Sequence, residues 1–285
     1  SANPDAIAPY LVGEQFYRRG RYAEAGDAFL AAYQADTSFA IAALRVFLTN
    51  GWSLNAPIPG PWLDRAWTHR ARLSGTDSLL LIASTGESYP APMDVPSEIR
   101  LLESLARRSN SAELWYAYAD HLAHNGESAD EPDANAKALE GFRRAEALDS
   151  SFAPALEHQA FLHLVLGDTT NAIQAHARQA RRDSTGDFFR INDFMMEKGF
   201  GDLDGQLRAL RRIAASRRTE DMIYPALFSS TQFAGQRPRI DLADSALAML
   251  AKAQTERLSP AADAGRRELH WNFGRAAAAA AIPAR

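Results

Sequence analysis

Seven histidines and no cysteine bound the chemistry that this chain of 285 residues can carry. The missing thiols exclude disulfides, thiolate metal sites and a cysteine nucleophile. His121 and His124 stand three apart on one helical face, and His158 and His163 fall on a later helix. A helical zinc site needs two histidines four apart with a glutamate beside the first. Neither pair has that pattern, no convincing second carboxylate ligand sits at helical spacing, and His163 occupies a packing position. No metal site, cofactor or catalytic residue is expected.

Other chemical motifs are incomplete. Gly199-Phe200-Gly201 lacks the continuation of a phosphate-cradling or dinucleotide loop, and no Gly-x-Ser-x-Gly elbow occurs. The acidic piece Gly126–Pro132 and Asp202-Leu203-Asp204-Gly205 lack the alternating ligands of a calcium loop. The first reads as a solvated loop and the second as a helix cap. Arginines cluster at Arg178, Arg181, Arg182 and at Arg208, Arg211, Arg212, Arg217, Arg218, where a solvated outer face is the simpler reading.

Composition is that of an ordinary globular chain. Charged residues make up 23% and hydrophobic ones 46%, and the net charge of -4 gives no reason to expect nucleic acid or an anionic membrane. No apolar run approaches the roughly 18 residues needed to span a bilayer, and Ala276–Ala281 reads as helix. The chain opens Ser-Ala-Asn-Pro without an initiator methionine or a signal peptide, so it is expected to be either a processed product or a piece of a longer protein, and we favour the second.

The elements are all helical, about fifteen of them, with no convincing strand. The spacing predicts a first hairpin over Pro9–Asp36, in which Gly13 and Ala25 let two helices approach while Phe16 and Phe29 fill the gap. Asp36-Thr37-Ser38 forms the corner, and Thr37 or Ser38 is expected to cap the next helix. That helix, from Phe39 to Asn50, is strongly apolar. Three prolines then hold the stretch Gly51–Pro61 open as a loop carrying Trp52, with Trp62 at its end; the plainer reading is that the tryptophans seal the loop onto the helices. Pro96-Ser97-Glu98 suits a helix start before Ile99. Pro260 is expected to begin a last helix running through Trp271 into the alanines, stopped by Pro283.

Three segments repeat one pattern: residues 9–38, 111–150 and 152–184. Trp115, Tyr118, Ala119 and Leu122 match the first-helix positions, and Ala138, Phe142 and Ala145 the second; Ala160, His163, Gly167 and Ala172 hold the same offsets later. The pattern resembles the tetratricopeptide repeat, a helix–turn–helix unit of about 34 residues. Residues 39–110 and 185–285 would be degenerate hairpins of the same array. The resemblance implies an all-α solenoid wound as a right-handed superhelix, one array over residues 1–285.

In this family the ligand lies along the concave wall made by the first helices. Carried over by offset, that wall comprises Tyr10, Glu14, Tyr17 and Arg18, then Tyr116, Asp120 and His124, then Glu157 and Phe161, with Leu48 and Trp52 from the second repeat. Aromatic area mixed with charge suits a peptide or a small polar molecule. The family's Lys/Asn set for a terminal carboxylate is absent.

The Asp-Ser/Thr-Phe-Ala corners at Asp36–Ala40 and Asp149–Ala153 and the Leu-Trp-Tyr helix start are similar to the repeat regions of bacterial membrane-anchored serine/threonine kinases and transcriptional activators. That likeness implies a sensor or docking region, with an extracytoplasmic (periplasmic) setting. The expected function is a protein-interaction scaffold. A small-molecule sensor with a pocket between the Trp52–Trp62 loop and the groove is the alternative, and a helical hydrolase or lyase the weakest.

Overall fold

A computed structural model describes residues 3–50, 60–73, 75–216, 218–231, 237–252 and 258–283. They form sixteen α-helices and two 3-10 turns, with no strand among the described residues. The chain divides into two compact units, residues 1–186 and 187–285. The division falls two residues beyond the last clear repeat of the sequence.

Unit 1 contains α1 (Pro4–Arg18), α2 (Tyr22–Ala35), α3 (Ala40–Asn50), α4 (Gly60–Thr68), α5 (Thr76–Thr85), α6 (Val95–Ser109), α7 (Ala112–Asn125), α8 (Ala134–Leu148), α9 (Ala153–Val165) and α10 (Thr169–Arg182). Each helix packs on its neighbour in sequence, most closely within the pairs α1–α2, α7–α8 and α9–α10. The steric logic of the first pair is direct. A Cβ on Gly13 would sit 2.6 Å from two atoms of the Phe29 ring, so only glycine lets α1 settle on a phenyl group that is itself fully buried. Burying such a ring stabilises the fold by about 1.5–3 kcal/mol.

The corner between hairpins recurs three times with the same hydrogen bonds. Asp36 Oδ1 accepts from the Ser38 N–H at 3.0 Å and its hydroxyl at 2.6 Å. Asp149 Oδ1 does the same for Ser151 at 2.9 and 2.6 Å, and Asp183 Oδ1 for Thr185 at 2.7 and 2.5 Å. The aspartate thus closes a local turn on its own backbone. The Ser38 hydroxyl, expected to cap α3, donates to Asp36 instead.

Unit 2 contains α11 (Asp187–Phe200), α12 (Leu203–Ala214), α13 (Ile223–Ser230), α14 (Ile240–Lys252), α15 (Leu258–Asn272) and α16 (Ala276–Ala280). Here α11 packs on α12, and α14 packs on both α13 and α15. Asp202 caps α12 by accepting from the Gly205 N–H at 2.7 Å, as its sequence suggests.

Several boundaries differ from those expected. α1 starts at Pro4 rather than Pro9, because Asn3 caps it through Asp5 N–H and Pro4 takes the first helical position. Pro9 therefore lies inside the helix. α6 begins at Val95, since Asp94 accepts from the Ser97 N–H at 2.8 Å. The final helix is two: the chain breaks at Gly274, whose φ of 71° ends α15 before the alanines. Trp62 packs edge-on against Tyr33 of α2 at 5.2 Å, whereas Trp52 lies outside the described residues.

Candidate functional site

A buried polar region of unit 1 is organised by Arg45, the one charged residue of α3 and only 3% exposed. Its Nε lies 2.6 Å from Glu14 Oε1 of α1, and its Nη2 lies 3.0 Å from Glu113 Oε1 of α7. Three helices from three different hairpins are thereby tied to one guanidinium. The cation also sits over the Tyr17 ring, 5.1 Å from its centroid. Burial disfavours the charged form of Arg45, but Glu113 and Glu14 outweigh it and hold the group more firmly charged than usual. Burial likewise opposes the charge on Glu113, yet Arg45 prevails and keeps the carboxyl below its usual range.

Beyond Arg45 the same side of the helices carries a cluster of phenols. Tyr17 meets Tyr22 at 5.8 Å and Phe152 at 6.0 Å, and Tyr116 meets Phe152 edge-on at 5.3 Å. Tyr22 and Tyr116 are both buried here, and desolvation pushes both hydroxyls well above the usual phenol range. His158 stacks on Phe142 with centroids 4.9 Å apart. Its Nδ1 is 3.0 Å from the Pro154 carbonyl and its Nε2 3.2 Å from Asp120 Oδ1. Two oxygen atoms thus face the two nitrogens of one ring.

Glu157 lies at the end of this cluster, 1% exposed, with Oε1 accepting from Gln179 Nε2 at 3.0 Å. The turn after α1 makes room for it. Gly20 adopts φ of 69°, and a Cβ there would stand 2.6 Å from Glu157 Oε1, so glycine is required by both conformation and space.

The sequence-derived face is therefore brought together, but largely against itself. Tyr17, Tyr116 and Glu157 are buried within the cluster, so they do not line an exposed wall. Tyr10 is half-buried between Phe29 and Phe39, 5.6 and 5.2 Å away, and Glu14 is held by Arg45. Arg18 pairs with Asp149 across the hairpins and keeps 43% of its side chain exposed. Asp120 is 24% exposed, and His124 is 53% exposed with its Nδ1 2.8 Å from the Asp120 carbonyl. Leu48 and Phe161 are half-buried on α3 and α9. Trp52 lies outside the described residues.

Sequence reasoning missed Arg45, Glu113 and Tyr22, and weighed His158 only as a metal ligand. A signal for Arg45 was present: it is the lone charge in the apolar run Phe39–Leu48. Among the described residues no group of three or more His, Cys, Asp or Glu is arranged to hold a metal ion. No helix among them is long and apolar enough to cross a membrane.

No protein-family model matches the chain, and comparison with the curated proteins finds no match. The likeness to the tetratricopeptide repeat rests on the residues quoted above.

Proposed function

We propose that this chain is a non-catalytic helical-repeat module of tetratricopeptide type that docks a peptide or a partner domain on the face of its first helices. One observation carries the reading. Side chains that the repeat offsets assign to one wall from separate hairpins, Glu14 and Tyr17 on α1 and Tyr116 on α7, gather around Arg45 and Phe152. A solenoid of stacked hairpins would place them so.

In this reading the buried members fix the spacing between hairpins, while the less buried ones meet the partner. Arg18, Asp120, His124 and Phe161 make up the second group. They offer charge of both signs beside an aromatic ring, which suits a polar peptide segment. The resemblance to repeat regions of bacterial signalling proteins supports a sensor or docking role.

The test is quantitative affinity capture with an Arg18→Gln, His124→Glu variant beside the native chain. Circular dichroism melts establish that both are equally folded. Loss of the captured partners is expected, and an unchanged set of partners contradicts the proposal.

A further inference from the structure

A recess of about 200 Å³ opens on unit 1 and shares no residue with the cluster around Arg45. The last turn of α5, the loop of residues 86–93, and Glu98 and Leu101 of α6 wall it. Its polar surface offers acceptors and few donors. α5 ends at Thr85, and the Gly86 N–H bonds back to the Ile82 carbonyl at 2.8 Å. Among the described residues no backbone N–H reaches the carbonyls of Ala83, Ser84 and Thr85. They carry the negative end of the helix dipole into the recess.

The hydroxyl protons nearby are already committed. Ser84 Oγ donates to the Leu80 carbonyl at 2.9 Å, and Thr85 Oγ1 to the Leu81 carbonyl at 2.9 Å. Pro90 and Pro92 have no N–H to give. Glu98 adds a carboxylate, with its Oε2 3.2 Å from His121 Nε2. No lysine, arginine or histidine is among the lining residues. Tyr89 also lines the recess, but its hydroxyl proton goes to Asp64; Met93, Leu101 and the two prolines give apolar wall.

We propose that this recess binds a small alkylammonium group, either a free primary amine or the side chain of a lysine. An ammonium brings three donors and no acceptor, the complement of this wall. Its alkyl stem would lie along Met93, Leu101 and the prolines. Size points the same way, because pockets for drug-sized ligands run to about 300–1,000 Å³ and this one holds a single side-chain-sized group.

The full chain, labelled with ¹⁵N, is titrated with n-butylammonium chloride and separately with neutral 1-butanol. Saturable amide shifts confined to residues 83–93 and 98–101 are expected with the ammonium alone. Glu98→Gln should weaken that binding about tenfold, the loss of roughly one charge-assisted hydrogen bond. Absence of saturation, an equal response to butanol, or undiminished binding by Glu98→Gln overturns the proposal. Should the variant not fold, the comparison of the two probes on the native chain still decides. A third arm with N-acetyl-lysine methylamide identifies the source. Saturation by it assigns a partner's lysine, and saturation by butylammonium alone assigns a free amine.

Discussion

Arg45 and Glu113 stand 68 positions apart in the sequence and meet through two guanidinium nitrogens in the interior of unit 1. With Glu14 on the other flank, the pair joins α1, α3 and α7 through one guanidinium. A buried charge with good partners adds little net stability over an apolar substitute, but removing one partner strands the rest.

Replacing Arg45 by methionine leaves Glu14 and Glu113 without their cation. A loss of about 3–5 kcal/mol is expected, a fall in Tm of order 10 °C. Glu113→Gln should cost less, since Arg45 keeps Glu14. Thermal melts of both variants check the order, and equal melting temperatures would remove Arg45 from its organising position.

The α1–α2 contact predicts an overpacking effect. In Gly13→Ala the new methyl would meet the Phe29 ring at 2.6 Å, and α1 must shift away at a cost of about 1–3 kcal/mol. Ordinary helix propensity predicts the reverse, a gain of about 0.5–1 kcal/mol for alanine over glycine. Urea denaturation separates the two by the direction in which the midpoint moves.

The recurring corner makes a local prediction. Asp149→Ala removes two hydrogen bonds to Ser151 and the partner of Arg18. We expect a loss of about 1–2 kcal/mol, near that of a helix cap. Asp149→Asn retains an acceptor oxygen for Ser151 and should recover part of it. Equal losses in the two variants would show that the charge, and not the turn, is what counts.

The two units should respond oppositely to pH. In unit 1, the Ser151 hydrogen bonds and the Arg18 pair outweigh burial and hold Asp149 below its usual range. Arg45 does the same for Glu113. A depressed carboxyl stabilises the fold above its unfolded value near 4 and loses that contribution as pH falls through the folded value. In unit 2, burial raises Asp221 to about 7; Arg218 opposes and Asp187 adds to the rise. A raised carboxyl stabilises below its unfolded value and loses that contribution as pH climbs toward about 7. Hydrogen exchange on the full chain, corrected for intrinsic rates, should show residues 187–230 better protected at pH 5 than at pH 8. Asp221→Asn should flatten that dependence. Protection that rises with pH in the native chain would contradict it.

The parts of the fold that were legible in the sequence are those with local causes. Gly13 and Phe29 announce a helical hairpin because steric fit sets their spacing within one repeat. Asp149 and Ser151 announce a corner because the bond spans two residues. Asn3 and Asp94 were missed as caps although they are equally local, because Pro9 and Pro96 drew the helix starts toward themselves. The Arg45 contacts were not legible, since its carboxylates lie 31 and 68 positions away and no periodicity links them. Burial of the inner face escaped for a related reason. Repeat offsets tell which side Tyr17 and Tyr116 occupy, but what covers them depends on Phe152 and Glu157 from another hairpin.

The most direct test uses the absence of cysteine from the chain. Cysteines placed at Arg18 and Asp149, residues that pair across the hairpins, can be bridged by a short flexible bismaleimide without competing thiols. If α1 and the α8–α9 corner close on one another around Arg45, the folded double variant will be cross-linked rapidly and nearly completely, and urea will abolish the reaction. Cross-linking in the folded protein no faster than in urea would contradict the convergence on which the proposed contact face depends.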